Sequence, residues 1–210
     1  MKQINQFITE YIIKKKLDKP IDSENKYKYF PKTKDELINN IKELFDKGET
    51  DLNCIATNKI TNMADLFFNI RNINFDVSKW DVSNVTNMTN MFYNCSNFKG
   101  KGLENWDVSN VEIFIGMFTY CSNIYDIDFS NWNVSNGKYF NSMFFECKKF
   151  KGNGLENWVV GKVKDMSGMF YNCTNFNCDL SNWDISNVKN MSFAFYNCKS
   201  LKNKPSWYKE

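Results

Sequence analysis

A chain of 210 residues can bury a substantial core as one domain or two small ones, and 42% apolar content excludes wholesale disorder. A net charge of +3, with Lys interspersed among Asp and Glu, lacks the one-sided basic surplus that nucleic acid selects, so no nucleic-acid partner is expected. Histidine is absent, which removes the commonest general base, metal ligand and nucleophile partner, while 19 Phe, 10 Tyr and 6 Trp require a scaffold with repeated large pockets.

Residues 1–50 form a first segment. Ile4, Phe7, Ile8, Tyr11 and Ile12 share one helical face, and Lys14, Lys15 and Lys16 suit the C-terminal end of that helix. The chain does not open on an apolar run with a small-residue cleavage site, and no stretch is long enough to cross a bilayer. A cytoplasmic location without membrane insertion is therefore expected, with the cell surface as the alternative if a leader precedes this sequence. Behind Pro31, the pair Thr33 and Glu36 has capping-box spacing and opens a second helix. Its apolar face is Leu37, Ile38, Ile41, Leu44 and Phe45, and Gly48 stops it. The second helix is expected to cap a repeat array, and the first either joins it or serves as a separate binding helix.

Residues 51–210 carry the repeat. Trp stands at 80, 106, 132, 158 and 183, with a last one at 207. Each of the first five is followed in register by Met91, Met117, Met143, Met169 or Ala194, then Phe92, Phe118, Phe144, Phe170 or Phe195, then Cys95, Cys121, Cys147, Cys173 or Cys198. Around each Trp the apolar spacing is short, as in Leu103, Trp106 and Val108, which predicts one extended segment per unit. Downstream it becomes three and four, as in Val85, Met88, Met91, Phe92 and Cys95, which predicts about two helical turns. Residues 62–68 read as a degenerate first unit that keeps only its helical half, and the last strand stops at Trp207 behind Pro205.

Such a unit buries its apolar stripe only by stacking on copies of itself. The expected fold is an α/β repeat: a leucine-rich-repeat-like solenoid of about five 25–26-residue strand–helix units with an N-terminal helical cap.

The stretch Trp80-Asp-Val-Ser-Asn-Val-Thr-Asn-Met-Thr-Asn-Met-Phe-Tyr-Asn-Cys95, with its equivalents from Trp106, Trp132, Trp158 and Trp183, resembles the Asn/Ser-rich repeat of the BspA-like leucine-rich-repeat surface proteins, also called the Mycoplasma-lipoprotein type repeat. The resemblance runs from about residue 31 to 207. It implies a solenoid and protein-interaction roles, often at bacterial surfaces, and supplies no catalytic residues. Such repeats also occur in mobile elements and phage-like genomes.

The register cysteines read as small apolar fillers of one core slot; no CxxC occurs, and zinc-ligand spacing is missing. The carboxylates after Trp (Asp81, Asp107, Asp184) read as turn formers in preference to calcium ligands. With Glu104 and Glu156 they form one mildly acidic candidate binding face. Tyr93, Phe145, Tyr171 and Tyr196 share a position on the other side and are candidate partner anchors, unless they pack between neighbouring units. No catalytic, cofactor or metal site is assigned. The function expected is a non-catalytic protein-binding solenoid, an intracellular inhibitor or adaptor that occludes a protein partner, in one version encoded by a phage or other mobile element. A cell-surface adhesin or glycan-binding repeat protein is the alternative.

Overall fold

The computed structural model describes residues 26–208. The expected first helix lies outside these residues. Among them, one α-helix forms, α1, Lys34–Asp46. Thr33 caps it, its Oγ1 accepting from the Glu36 N–H at 3.2 Å, and the Glu36 carboxylate accepts from the Lys32 N–H at 2.6 Å. At the other end, Gly48 takes φ 85° and donates to the Phe45 carbonyl, while Glu49 N–H reaches the Leu44 carbonyl. That pair of bonds is the left-handed glycine stop read from the sequence. Leu37, Ile41, Leu44 and Phe45 are buried, the Phe45 ring lies 6.0 Å from Phe75, and the Lys34 ammonium binds the Ala64 carbonyl.

The remaining chain winds into stacked coils that meet through isolated parallel bridges. One file of bridges joins Asn62, Asn87, Ile113, Tyr139, Asp165 and Asn190 in order. No named strand or sheet forms among the described residues, and the only other helical pieces are single 3-10 turns at Leu103–Asn105 and Leu155–Asn157. The strand–helix, leucine-rich-repeat-like solenoid expected from the apolar spacing is therefore not the architecture.

Backbone conformation explains the difference. The downstream half of each unit is a chain of i→i+3 turns, such as Met91 N–H to Met88 C=O and Cys95 N–H to Phe92 C=O. In each of these turns the third residue has positive φ: Asn90 at 51° and Asn94 at 57°. A left-handed residue at every fourth position interrupts any α-helix. It also turns alternate amides outward, so the N–H groups of Met88, Asn90, Phe92 and Asn94 bond to carbonyls of Ile113, Ile115, Met117 and Thr119 in the next coil. Around Trp, the bonds Trp80 N–H to Val77 C=O and Val85 N–H to Val82 C=O bend the chain too tightly for a strand. Turns reproduce a spacing of three and four without a helix.

The first coil is more complete than expected, since Leu52, Ile55 and Ile60 are buried in the slots that Val77, Trp80 and Val85 fill in the next one. The core is a set of ladders. Phe92 and Phe118 stack with centroids 5.5 Å apart and planes 4° from parallel, and the file continues through Phe144, Phe170 and Phe195. Each contact of this kind adds about 0.5–1.5 kcal/mol beyond the area buried. Every repeat Trp donates its indole N–H to a carbonyl one coil back, as Trp132 does to Leu103 at 2.7 Å and Trp158 to Phe129 at 3.0 Å. Each register thiol likewise donates to a carbonyl of the preceding coil, Cys121 to Phe92 and Cys147 to Phe118, both at 2.9 Å. Among the described residues, no buried side-chain nitrogen or oxygen lacks a partner.

Candidate functional site

The turns bring four of the expected anchors into one continuous file. Phe145 stacks on Tyr171 at 4.6 Å and Tyr171 on Tyr196 at 4.8 Å. Tyr93 stacks on Phe68 at 4.6 Å. The gap that Thr119 leaves in the sequence register is closed by its neighbour: Tyr120 makes edge contacts at 5.8 Å with both Tyr93 and Phe145. Thr119 itself is buried, its hydroxyl donating to the Ser142 carbonyl, while Tyr120 takes φ 61° and swings out. The stripe thus runs Phe68, Tyr93, Tyr120, Phe145, Tyr171, Tyr196. Its rings stack on one another yet stay accessible, Tyr120 at 40% and Tyr196 at 53%, with the other four half-buried.

Sequence reasoning missed two rings of this file. Phe68 follows Phe67 as Tyr93 follows Phe92, a register signal that was present. Tyr120 gave no register signal, because it sits one residue late.

The acidic face is used differently. Asp81, Asp107 and Asp184 are exposed, and each carboxylate accepts from the N–H two residues on, at Ser83, Ser109 and Ser186, all at 3.0 Å. These are Asx turns, the structural role weighed from the sequence. The Ser186 backbone N–H, helped by its hydroxyl, holds the Asp184 carboxyl below its ordinary range. Glu104 accepts from the Gly102 N–H at 2.9 Å, and Glu156 receives the Cys178 thiol at 3.2 Å. Burial, reinforced by Glu156, pushes that thiol up to about 12. Asp81, Asp107, Asp184 and Glu104 each serve a local turn, whereas Glu156 reaches the Cys178 thiol of the next coil.

The register thiols are chemically quiet. Burial pushes Cys95 up to about 12 and raises Cys121, Cys147 and Cys173 well above the ordinary thiol value. A buried thiol held neutral is neither a nucleophile nor a ready metal ligand. No group of three or more His, Cys, Asp or Glu that could hold a metal occurs among the described residues. Nor is any helix among them long and apolar enough to cross a membrane.

Two surface hollows lie near the last coil. Lys138, Lys162, Lys164 and Lys189 line one of about 390 Å³, and Lys189, Met191, Phe193, Tyr196 and Tyr208 line part of one of about 600 Å³.

Coils that repeat one set of ladders define a stacked repeat protein. The chain belongs to the family described as Mycoplasma protein of unknown function, DUF285, whose model matches residues 35–151 and again residues 91–208. No curated protein and no solved structure matches the chain.

Proposed function

We propose that the chain is a non-catalytic protein-binding array that docks a partner along its aromatic stripe. The unbroken file from Phe68 to Tyr196 carries this reading. Accessible Tyr and Phe rings, immobilised by their neighbours, lose little conformational entropy on binding, and Tyr is a frequent hot-spot residue. In this reading the array acts as an inhibitor or adaptor that covers a partner's surface, located in the cytoplasm, and the kinship with BspA-like surface repeats is one of shared interaction chemistry. Cross-coil amide bonds make the surface rigid, which suits occlusion better than catalysis.

The test is affinity capture with quantitative mass spectrometry using the native chain, a Tyr93→Ser/Phe145→Ser/Tyr171→Ser variant, and an Asp81→Asn/Asp107→Asn/Asp184→Asn variant. Thermal melts would first establish that both variants fold. A partner lost from the aromatic variant and retained by the Asn variant supports the stripe. The opposite pattern would move the interface to the acidic turns and sink this reading.

A further inference from the structure

We propose that Asn153 is a self-modifying site, where attack by the backbone nitrogen of Gly154 expels the side-chain amide and a carboxylate takes its place. Two contrasts inside the chain point to it.

The first is between the two Asn–Gly pairs of the sequence, Asn136–Gly137 and Asn153–Gly154. Glycine after Asn leaves the attacking nitrogen unhindered, because no Cβ screens it. At the first pair every group that must move is held. Asn136 Nδ2 donates to the Ser109 carbonyl at 2.8 Å, and Asn136 Oδ1 accepts from the Lys162 ammonium at 2.7 Å. The Gly137 N–H donates to the Val134 carbonyl at 2.8 Å. At the second pair the Asn153 side chain is exposed, and neither it nor the Gly154 N–H has a hydrogen-bond partner among the described residues.

The second contrast is between two copies of one loop, residues 100–105 and 152–157. In both, a left-handed glycine (Gly102 at φ 89°, Gly154 at φ 84°) leads into a single 3-10 turn. In the first copy the Glu104 carboxylate accepts from the Gly102 N–H at 2.9 Å. In the second the equivalent Glu156 receives the Cys178 thiol at 3.2 Å, and the Gly154 N–H is left over. The cause is the neighbouring coil: Gly100 packs against Ile127, whereas Gly152 packs against Phe176 and Cys178. Ile127 has nothing to offer Glu104, while the thiol diverts Glu156. A carboxylate bonded to an N–H holds that amide neutral, so its diversion favours the amide anion that attacks.

The reaction needs only water. Hydroxide takes the Gly154 amide proton, and the nitrogen lone pair forms a bond to Asn153 Cγ. The Cγ–Nδ2 bond breaks, Nδ2 leaves as ammonia with a proton from water, and a five-membered succinimide remains. Water then opens either carbonyl of the ring, giving aspartate or isoaspartate. Nucleophile and electrophile sit in one dipeptide, so the step is unimolecular. Asn153 lines a hollow of about 970 Å³ together with Asp128, Glu156 and Asp179, and the product adds a fourth carboxylate there. The isoaspartyl form also takes the Asn153 carbonyl, which accepts from the Phe129 N–H at 3.0 Å, out of the main chain.

The test is to incubate the native chain in warm alkaline buffer and follow its tryptic peptides by mass spectrometry for the one-dalton gain, with isoaspartate counted by enzymatic methylation. Asn153 is expected to convert roughly tenfold faster than Asn136, where three hydrogen bonds must break first. Hydrogen exchange at the Phe129 amide should quicken in the isoaspartyl fraction. In urea the two pairs should convert alike, which assigns the difference to the fold. Cys178→Ile gives the second loop the residue of the first, and Cys178→Ala is the smaller alternative. Either should slow conversion several-fold by returning Glu156 to the Gly154 N–H. Equal conversion of the two pairs in the folded chain would overturn the proposal, as would a difference that survives in urea. A rate unchanged in both Cys178 variants would overturn the part given to Glu156.

Discussion

The two ends of the array are closed by different means. At the N-terminal end, a thirteen-residue helix buries Leu37, Ile41, Leu44 and Phe45, and its own backbone is satisfied by Thr33 and the Gly48 stop. At the C-terminal end, Trp207 donates to the Leu180 carbonyl at 3.1 Å and lies with Tyr208 against Phe195, so the Trp half of the last coil is covered. Among the described residues, the turn half leaves Phe193 and Tyr196 exposed. A helix seals apolar surface and adds no further row of ladder partners. The first end is covered by a helix and by the parallel bridge between Tyr29 and Ile55, the second by the rings of Trp207 and Tyr208.

The largest expected effect falls on the core between the ends. Cys95, Cys121, Cys147 and Cys173 have raised folded values, so their contribution is complete below an ordinary thiol value of 9.0 and is lost as pH rises beyond it. Each costs about 1.4 kcal/mol of stability per pH unit in that window. Urea melts at pH 8, 9 and 10 should show a steep loss, flattened in Cys147→Ala by about that slope. In native-state thiol labelling Cys198, at 9% exposure, should react before Cys121 and Cys147, which are almost fully buried. Simultaneous labelling would mean that the last coil is packed as tightly as the middle of the array.

Next come the closures. Leu37→Ala should cost about 2–5 kcal/mol, since Leu37 is fully buried under the helix. Trp207→Ala, at a half-buried site, should cost clearly less, and equal costs would show that Trp207 is packed as tightly as Leu37. Within the array, Trp132→Phe removes the indole donor and leaves the Leu103 carbonyl with the Trp106 N–H alone, for about 0.5–1.5 kcal/mol by denaturant melt. The smallest effects belong to the left-handed residues. Asn90→Ala should destabilise by about 1 kcal/mol, whereas Phe193→Gly should be neutral or slightly stabilising. A destabilising Phe193→Gly would mean that the ring supports the fold.

The repeat register was legible because each of its positions, Trp, Met, Phe and Cys, occupies one buried slot in every coil, and burial constrains side-chain identity strongly. Helix α1 was legible for the same kind of local reason: Thr33, Glu36 and Gly48 each answer a specific orphaned backbone group. The conformation between the slots was misread. Apolar residues three and four apart fit a helix, but they fit a run of i→i+3 turns equally well. The deciding signal was polar: Asn90, Gly116, Ser142 and Gly168 occur inside the supposed helices, and Asn and Gly are the residues that take positive φ readily. Weighed as breakers, they argued against helix. Most of the stripe was legible from Tyr93, Phe145, Tyr171 and Tyr196, while Tyr120 was hidden because its slot depends on the backbone twist beside Thr119.

The stacking of the tryptophans also gives the molecule an optical character. Trp132, Trp158 and Trp183 follow one another at 6.3 Å with planes 2° and 3° from parallel. Indoles so close and so aligned do not absorb independently. Their transitions mix into delocalised states, and excitation migrates along the file before emission. The intact array is therefore expected to show a split near-ultraviolet dichroism band, which vanishes when the coils separate.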